Sequence, residues 1–329
     1  MQKRGRVTLL VTLSIVVLLV LLSGVGSGQS RPPRTVTVGI GVHEQSTFQQ
    51  AVQYYNEKHR IIEKTAKELF NIDLKLKWYT FPFAPQHIAA MQAGDVQIGS
   101  FATFPIITQI KKRGVTLAPL TESLGAYEFL LMVKKDGPIK TFEDLKGKNV
   151  AVPVGTSPHG AFELFVLTEF GKTPRELGIN IVNQPWHAAY MPPGIDAFIT
   201  YYPAATIFLG TEIVPLVSML GYTGEAYDGP LGKGAGHRIP SVKNSPFYPE
   251  GYIALRNWFM AANGYEKKEP EVCIAFMVGH QKIIQALAKM TPHEITEYYP
   301  ADEWKTTPRK AYEELALARD LAEVSQISV

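Results

Sequence analysis

Apolar and polar residues along the chain follow two rhythms, a period of two in short runs and a helical period in the stretches between them. Thr35–Gly41 (TVTVGIG) is β-branched at every other position and predicts a strand, with Val42–Ser46 as the turn after it. A long amphipathic helix is predicted over 48–70, with Val52, Tyr55, Ile62, Ala66 and Leu69 facing inward. Ile72–Trp78 alternates as a strand should. Prolines then interrupt the pattern, and a helix is predicted over 86–93, ending at Gly94. Short strands are predicted at 95–100 and 115–120, separated by a helix opening at Phe104-Pro105. The same alternation resumes after residue 128. Strands are predicted at 129–134, 150–154, 179–183 and 195–200, with helices at 141–145 and 160–170 between them. The region 222–247 is rich in Gly and Pro and reads as a long loop. Helices are predicted at 252–262, 270–289 and 308–324, with Ile283, Ile284 and Leu287 as a core-facing stripe packed back on the first unit.

Strand–helix alternation argues for an α/β protein with mainly parallel sheets covered by helices. Because the alternation occurs twice, it predicts two lobes, and ligands in such sheets bind beyond the carboxyl ends of the strands. A cleft between the lobes follows. Three strand ends of the first lobe, at Glu44–Ser46, Pro82–Gln86 and Ser100–Thr103, carry small or polar residues that converge on one edge.

Composition narrows this picture. The chain has 329 residues, 46% of them hydrophobic, which is enough for two full cores. Its net charge is +3, and Lys3, Arg4, Arg6, Arg31 and Arg34 near the start supply part of it. No basic face for nucleic acid is implied. The single cysteine, Cys273, lies in an apolar run, which excludes an intrachain disulfide and cysteine-based metal sites and predicts a buried, inert thiol. Residues 1–30 have a basic start, an aliphatic run over 7–22 and a small polar end, the three-part pattern of an export segment, either cleaved or kept as an anchor. Arg31-Pro32-Pro33-Arg34 reads as a stiff tether.

The densest candidate chemistry is at 144–159 (DLKGKNVAVPVGTSPH), a charged turn, a strand, and a loop opening a helix. Gly155 lets the backbone approach a ligand, Thr156 and Ser157 supply hydroxyls, and the helix directs its unpaired N–H groups and positive dipole end to the same place. An ordinary N-cap is the alternative reading of those two hydroxyls. Trp186 and Tyr201 follow strands of the second lobe and are candidate aromatic walls. Gln86 stands either at the cleft or in solvent. His43-Glu44 invites a metal reading, but no further ligand pair stands at a supporting spacing, so no metal is expected.

Three segments carry a resemblance. Phe81–Pro105 (FPFAPQHIAAMQAGDVQIGSFATFP), Ile139–His159 (IKTFEDLKGKNVAVPVGTSPH) and Ile195–Ala204 (IDAFITYYPA) resemble, in this order, segments of the exported substrate-binding proteins of ABC importers. The branch they resemble serves sulfonates, taurine, nitrate and thiamine-precursor pyrimidines. The sequence departs from it at Tyr201, where sulfonate members often carry Trp, and in the length of 222–247. The resemblance implies a type II periplasmic-binding-protein fold, with lobe I at 35–125 and 206–329, lobe II at 126–205, and hinges near 124–126 and 205–209. It implies ligand contacts from Gln45, Ser46 and Thr103 in lobe I, and from Thr156, Ser157 and His159 in lobe II. It further implies a non-enzymatic, monomeric receptor without cofactor, capturing a small anionic organic solute and presenting it to a membrane permease. A receptor for a pyrimidine or other aromatic heterocycle is the alternative within the class. Enzymes on the same fold, a dehydratase among them, are the alternative outside it; the export segment separates that type from this chain.

Overall fold

The computed structural model describes residues 32–44, 47–102, 104–106, 114–126, 128–184, 191–202, 211–219, 228–229, 232–233 and 254–291, with isolated positions at 205, 208, 294, 297 and 298. The expected export segment and the expected helix at 308–324 lie outside these residues.

Two five-stranded sheets organise the chain. The first contains β1 (Arg34–His43), β2 (Ile72–Phe81), β3 (Ile98–Ala102), β4 (Leu117–Ala126) and β12 (Ala254–Ala262), in the order β2-β1-β3-β12-β4. The second contains β5 (Glu128–Lys134), β6 (Asn149–Val152), β7 (Asn180–Asn183), β8 (Ala197–Tyr202) and β9 (Ile213–Ser218), in the order β7-β6-β8-β5-β9. Each sheet has three parallel strands, then one antiparallel strand that the chain inserts after crossing from the other sheet, then an edge strand. The sheets are therefore mixed rather than mainly parallel. Between them, β10 (Asp228–Gly229) and β11 (Gly232–Lys233) pair as a short antiparallel ribbon within the region read as a loop.

The predicted helix at 48–70 is two helices, α1 (Thr47–His59) and α2 (Ile61–Phe70). The break is at Arg60, whose backbone is left-handed at φ 56°. Buried Asn56 compensates for the interruption: its Oδ1 accepts the Ile62 N–H at 2.9 Å and its Nδ2 donates to Glu63 at 2.9 Å. Breaking the helix rotates the second half, so Ile62 and Ala66 reach the core while Leu69, expected inward, is 46% exposed.

Two other expectations are corrected by strand pairing. Residues 252–262, read as a helix, contain β12, which fills the gap between β3 and β4. Paired on both sides, ALRNWFMAA satisfies its backbone within the sheet, and this tertiary pairing overrides helix propensity. Ile213–Ser218, where no element was predicted, pairs with β5. The second sheet thus extends to Ser218, past the expected return at 206. The described residues also include α3 (Ala84–Ala93), α4 (Ser157–Phe170), α5 (Tyr265–Lys268) and α6 (Pro270–Ala288).

Each sheet carries its own core. Val38, Ile40 and Val42 of β1 pack with Val52, Ile62 and Ala66 and with Phe276, Ile283, Ile284 and Leu287 of α6. The stripe on α6 is core, as expected, and Cys273 beside it is buried with its thiol pushed up to about 12. In the second sheet, Phe129, Leu131 and Val133 of β5 pack with Phe162, Phe165 and Val166 of α4. No helix among the described residues is long and apolar enough to cross a membrane.

Candidate functional site

Strand directions bring two edges together. In the first sheet β1, β2, β3 and β4 run the same way, so His43, Phe81, Ala102 and Ala126 end at one edge. The chain passes from Ala126 to Glu128, and β5 begins at the edge of the second sheet where β6 and β8 end, since β5 is antiparallel to β8 and β6 is parallel to it. The carboxyl edges of both sheets therefore lie next to the crossing between Ala126 and Glu128, and such edges are where open α/β sheets hold ligands.

On the second sheet, β6 ends at Val152 and the loop 153–156 leads directly into α4. Helix formation starts at Ser157, earlier than predicted, because Pro158 is preorganised for a first helical turn and its missing N–H costs no hydrogen bond there. The loop is held at both ends. Val154 N–H donates to Asn183 Oδ1 at 2.9 Å, Thr156 Oγ1 donates to the Pro153 carbonyl, and Gly155 takes φ 85°, a conformation that suits a residue without Cβ.

In this geometry neither hydroxyl caps the helix. Thr156 occupies the N-cap but makes no side-chain cap, its hydroxyl being turned back to Pro153. Ser157 is buried at 9% exposure and its Oγ has no partner among the described residues. A buried hydroxyl without a partner stands at the positive end of a 14-residue helix, beside first-turn N–H groups that have no intrahelical acceptor. Such an arrangement accepts an anion.

His159 is engaged within its own loop and helix. Its Nδ1 accepts the Gly155 N–H at 3.5 Å and its Nε2 faces Glu163 Oε1 at 3.6 Å, so the ring braces the loop. Burial holds it below the usual histidine range, partly opposed by the Glu163 carboxylate.

On the first sheet the loop after β1 is anchored by α1: His43 N–H donates to Gln49 Oε1 at 2.9 Å and Gln50 Nε2 to the Glu44 carbonyl at 3.2 Å. Gln86 is exposed on the first turn of α3. The adjacent His87 is the residue the sequence reading passed over. It is fully buried, its ring stacked between Phe81 at 4.6 Å and Phe101 at 4.2 Å, and its Nδ1 shares a hydrogen bond with His43 Nε2 at 3.3 Å. Gly41 and Gly99 make room for it, since a Cβ at either would overlap the imidazole. The G-x-G of β1 and the glycine of β3 were the available signal. Among the described residues no group of three His, Cys, Asp or Glu side chains is placed to hold a metal.

Of the other expected site residues, Gln45, Ser46, Thr103 and Trp186 lie outside the described residues. The backbone of Tyr201 lies in β8 opposite Phe129, at the carboxyl edge; its side chain is outside the description.

Strand order 2-1-3-n-4 in both sheets, with the fourth strand contributed across the crossing, defines a type II periplasmic-binding-protein fold. Solved structures agree. The periplasmic aliphatic sulphonate binding protein SsuA of Escherichia coli is similar with a TM-score of 0.57 and 18% identity, covering 87% of this chain and 84% of that one. The alkanesulfonate-binding protein SsuA of Xanthomonas axonopodis pv. citri, bound to MOPS, has a TM-score of 0.57 and 15% identity over 89% of this chain and 85% of that one. Residues 50–189 match the family model described as ABC transporter, phosphonate, periplasmic substrate-binding protein. An aliphatic sulfonates-binding protein of E. coli K12 is 27% identical over 233 residues, or 67% of this chain. The taurine-binding periplasmic protein of the same organism is 31% identical over 129 residues, or 39% of this chain. The matches span 65% and 39% of the length of these two relatives. Over part of its length the chain is thus similar to substrate-binding proteins of ABC transporters.

Proposed function

We propose that this protein is an exported solute receptor of an ABC importer that captures a small anionic organic solute between two lobes and delivers it to a membrane permease. The observation that carries the reading is the buried, unpartnered Ser157 hydroxyl at the start of α4, at the edge where the two sheets meet. The similarity to proteins named for aliphatic sulfonates and taurine supports a sulfonate as the solute class. Hydroxyl and N–H donors suit such a group because they bind a fixed negative charge without needing a cation of their own.

One lobe is the first sheet with α1–α3, α5 and α6, and the other is residues 128–218. One hinge lies where β4 ends at Ala126 and β5 begins at Glu128. Both walls of the cleft come from one chain, consistent with a monomer. Residues 1–30 serve as export signal or anchor. Binding without turnover is the expected activity.

Titration of residues 30–329 with taurine, ethanesulfonate, nitrate and aromatic carboxylates, followed by calorimetry and thermal unfolding, tests the proposal. A solute at a hundredfold its Kd adds about 2.7 kcal/mol to the fold. Replacing Ser157→Ala removes one hydrogen bond to a charged group and weakens binding by about 10- to 100-fold, while far-UV circular dichroism stays unchanged. Unchanged affinity in that variant places the solute elsewhere.

A further inference from the structure

The two units touch at a point that no strand crossing requires. Residues 104–106 form a helical turn after β3, in the unit of the first sheet. Gly160 lies on α4, in the unit of the second. A Cβ built at Gly160 would overlap the Phe104 ring, coming within 2.6 Å of its Cγ, so the aromatic face rests directly on the helix backbone. Phe104 also meets His159 edge-on, with centroids 6.1 Å apart.

Gly160 is three residues after Ser157, one turn further along the same face of α4. The Cα–Cβ direction in a helix leans toward the N-terminus, so the ring occupying that space borders the turn that carries the Ser157 hydroxyl. Glycine in a helix interior is otherwise unfavourable relative to alanine. Here it serves as a seat.

We propose that Phe104 and Gly160 form a closing contact of the binding site: a ring from one unit docks on the bare backbone of the other and becomes the apolar wall beside Ser157. The ring excludes water from the α4 N-terminus, which strengthens any charge–dipole interaction made there. With Phe104 lifted away, the units separate at this edge and solute enters. Closure and capture are thereby coupled through one aromatic residue, whichever anion is bound.

The buried, unreactive Cys273 allows two reporter cysteines, Lys75→Cys on β2 and Lys172→Cys after α4, both exposed positions on different units. Spin labels there measure the separation of the units by double electron–electron resonance. Gly160→Ala and Phe104→Ala are each expected to move the distribution toward longer separation. The double variant should match Phe104→Ala, because the added methyl then meets no ring. Taurine binding, measured on the same proteins, should weaken about tenfold if the closed population falls to about a tenth. An unchanged separation in both single variants overturns the proposal. So does an equal effect of Gly160→Ala with and without Phe104, which would place its action inside the helix. If no variant, nor the parent, binds taurine but the separations change as expected, the closing contact stands and the sulfonate reading fails.

Discussion

Between pH 6.5 and about 4 the protein is expected to lose most of its stability. Three histidines are held in neutral form, His87 and His280 fully buried and His43 partly so. His280, stacked on Phe276 and edge-on to Phe259, is pushed by burial down to about 4. The ring of His43, enclosed by His87 and Phe101, is pushed by burial to about 4 as well. His87 falls well below its usual 6.5, through burial first and the neighbouring His43 second. The folded values are depressed, so this part of the stability is intact above the unfolded value of about 6.5. As pH falls the unfolded chain takes up protons that the native one refuses, and the loss continues until the folded values are reached. A fall from 6.5 to about 4 corresponds to about 3 kcal/mol for each of His43 and His280. Their combined loss, roughly 6 kcal/mol, is on the scale of the whole stability of a typical domain. Urea denaturation at half-unit pH steps reads this directly. His280→Phe keeps a planar ring against Phe259 and Phe276 while removing one titrating group, so its profile should be shallower over the same window. A flat profile from pH 7 to 4.5 would falsify this account of the buried histidines.

Gly41→Ala is expected to destabilise the first sheet by about 3 kcal/mol or more, the upper part of the range for overpacking a core. The new methyl would overlap the His87 imidazole, and that ring cannot swing aside because Phe81 and Phe101 hold both of its faces. Nor can the backbone yield easily, since β1 is paired on both sides at this position, with Tyr79 and with Gly99. Displacing His87 also breaks its hydrogen bond to His43. The midpoint of urea unfolding measures the loss. In the double variant with His87→Ala the methyl has space, so the two effects should be strongly non-additive. Simple additivity would mean that the ring is not what Gly41 accommodates.

Much of this architecture was legible before any coordinates. Apolar patterning located β1, β2 and β5 within a few residues, and the GTSP sequence marked the loop that opens α4 because glycine, a hydroxyl pair and proline each have a local reason to stand there. The same local logic failed where partners came from far away. β12 is more than 120 residues from the strands it joins, and nothing in ALRNWFMAA announces them. The break at Arg60 depends on buried Asn56 replacing a backbone bond, which periodicity does not register.

The candidate site divides in the same way. Periodicity and residue type were sufficient for two α/β units, a polar loop before a helix, and the family resemblance, because these rest on contacts between near neighbours in the chain. They left open whether Thr156 and Ser157 cap α4. That depended on Thr156 turning its hydroxyl to Pro153 and on Ser157 being enclosed with no partner. The pairing of His43 with His87, and the seat that Gly160 offers Phe104, are likewise decided only when distant strands are brought side by side. The physical reason is that hydrogen-bond satisfaction and steric fit depend on every group that surrounds a residue in space, whereas the order of residues along the chain specifies only some of them.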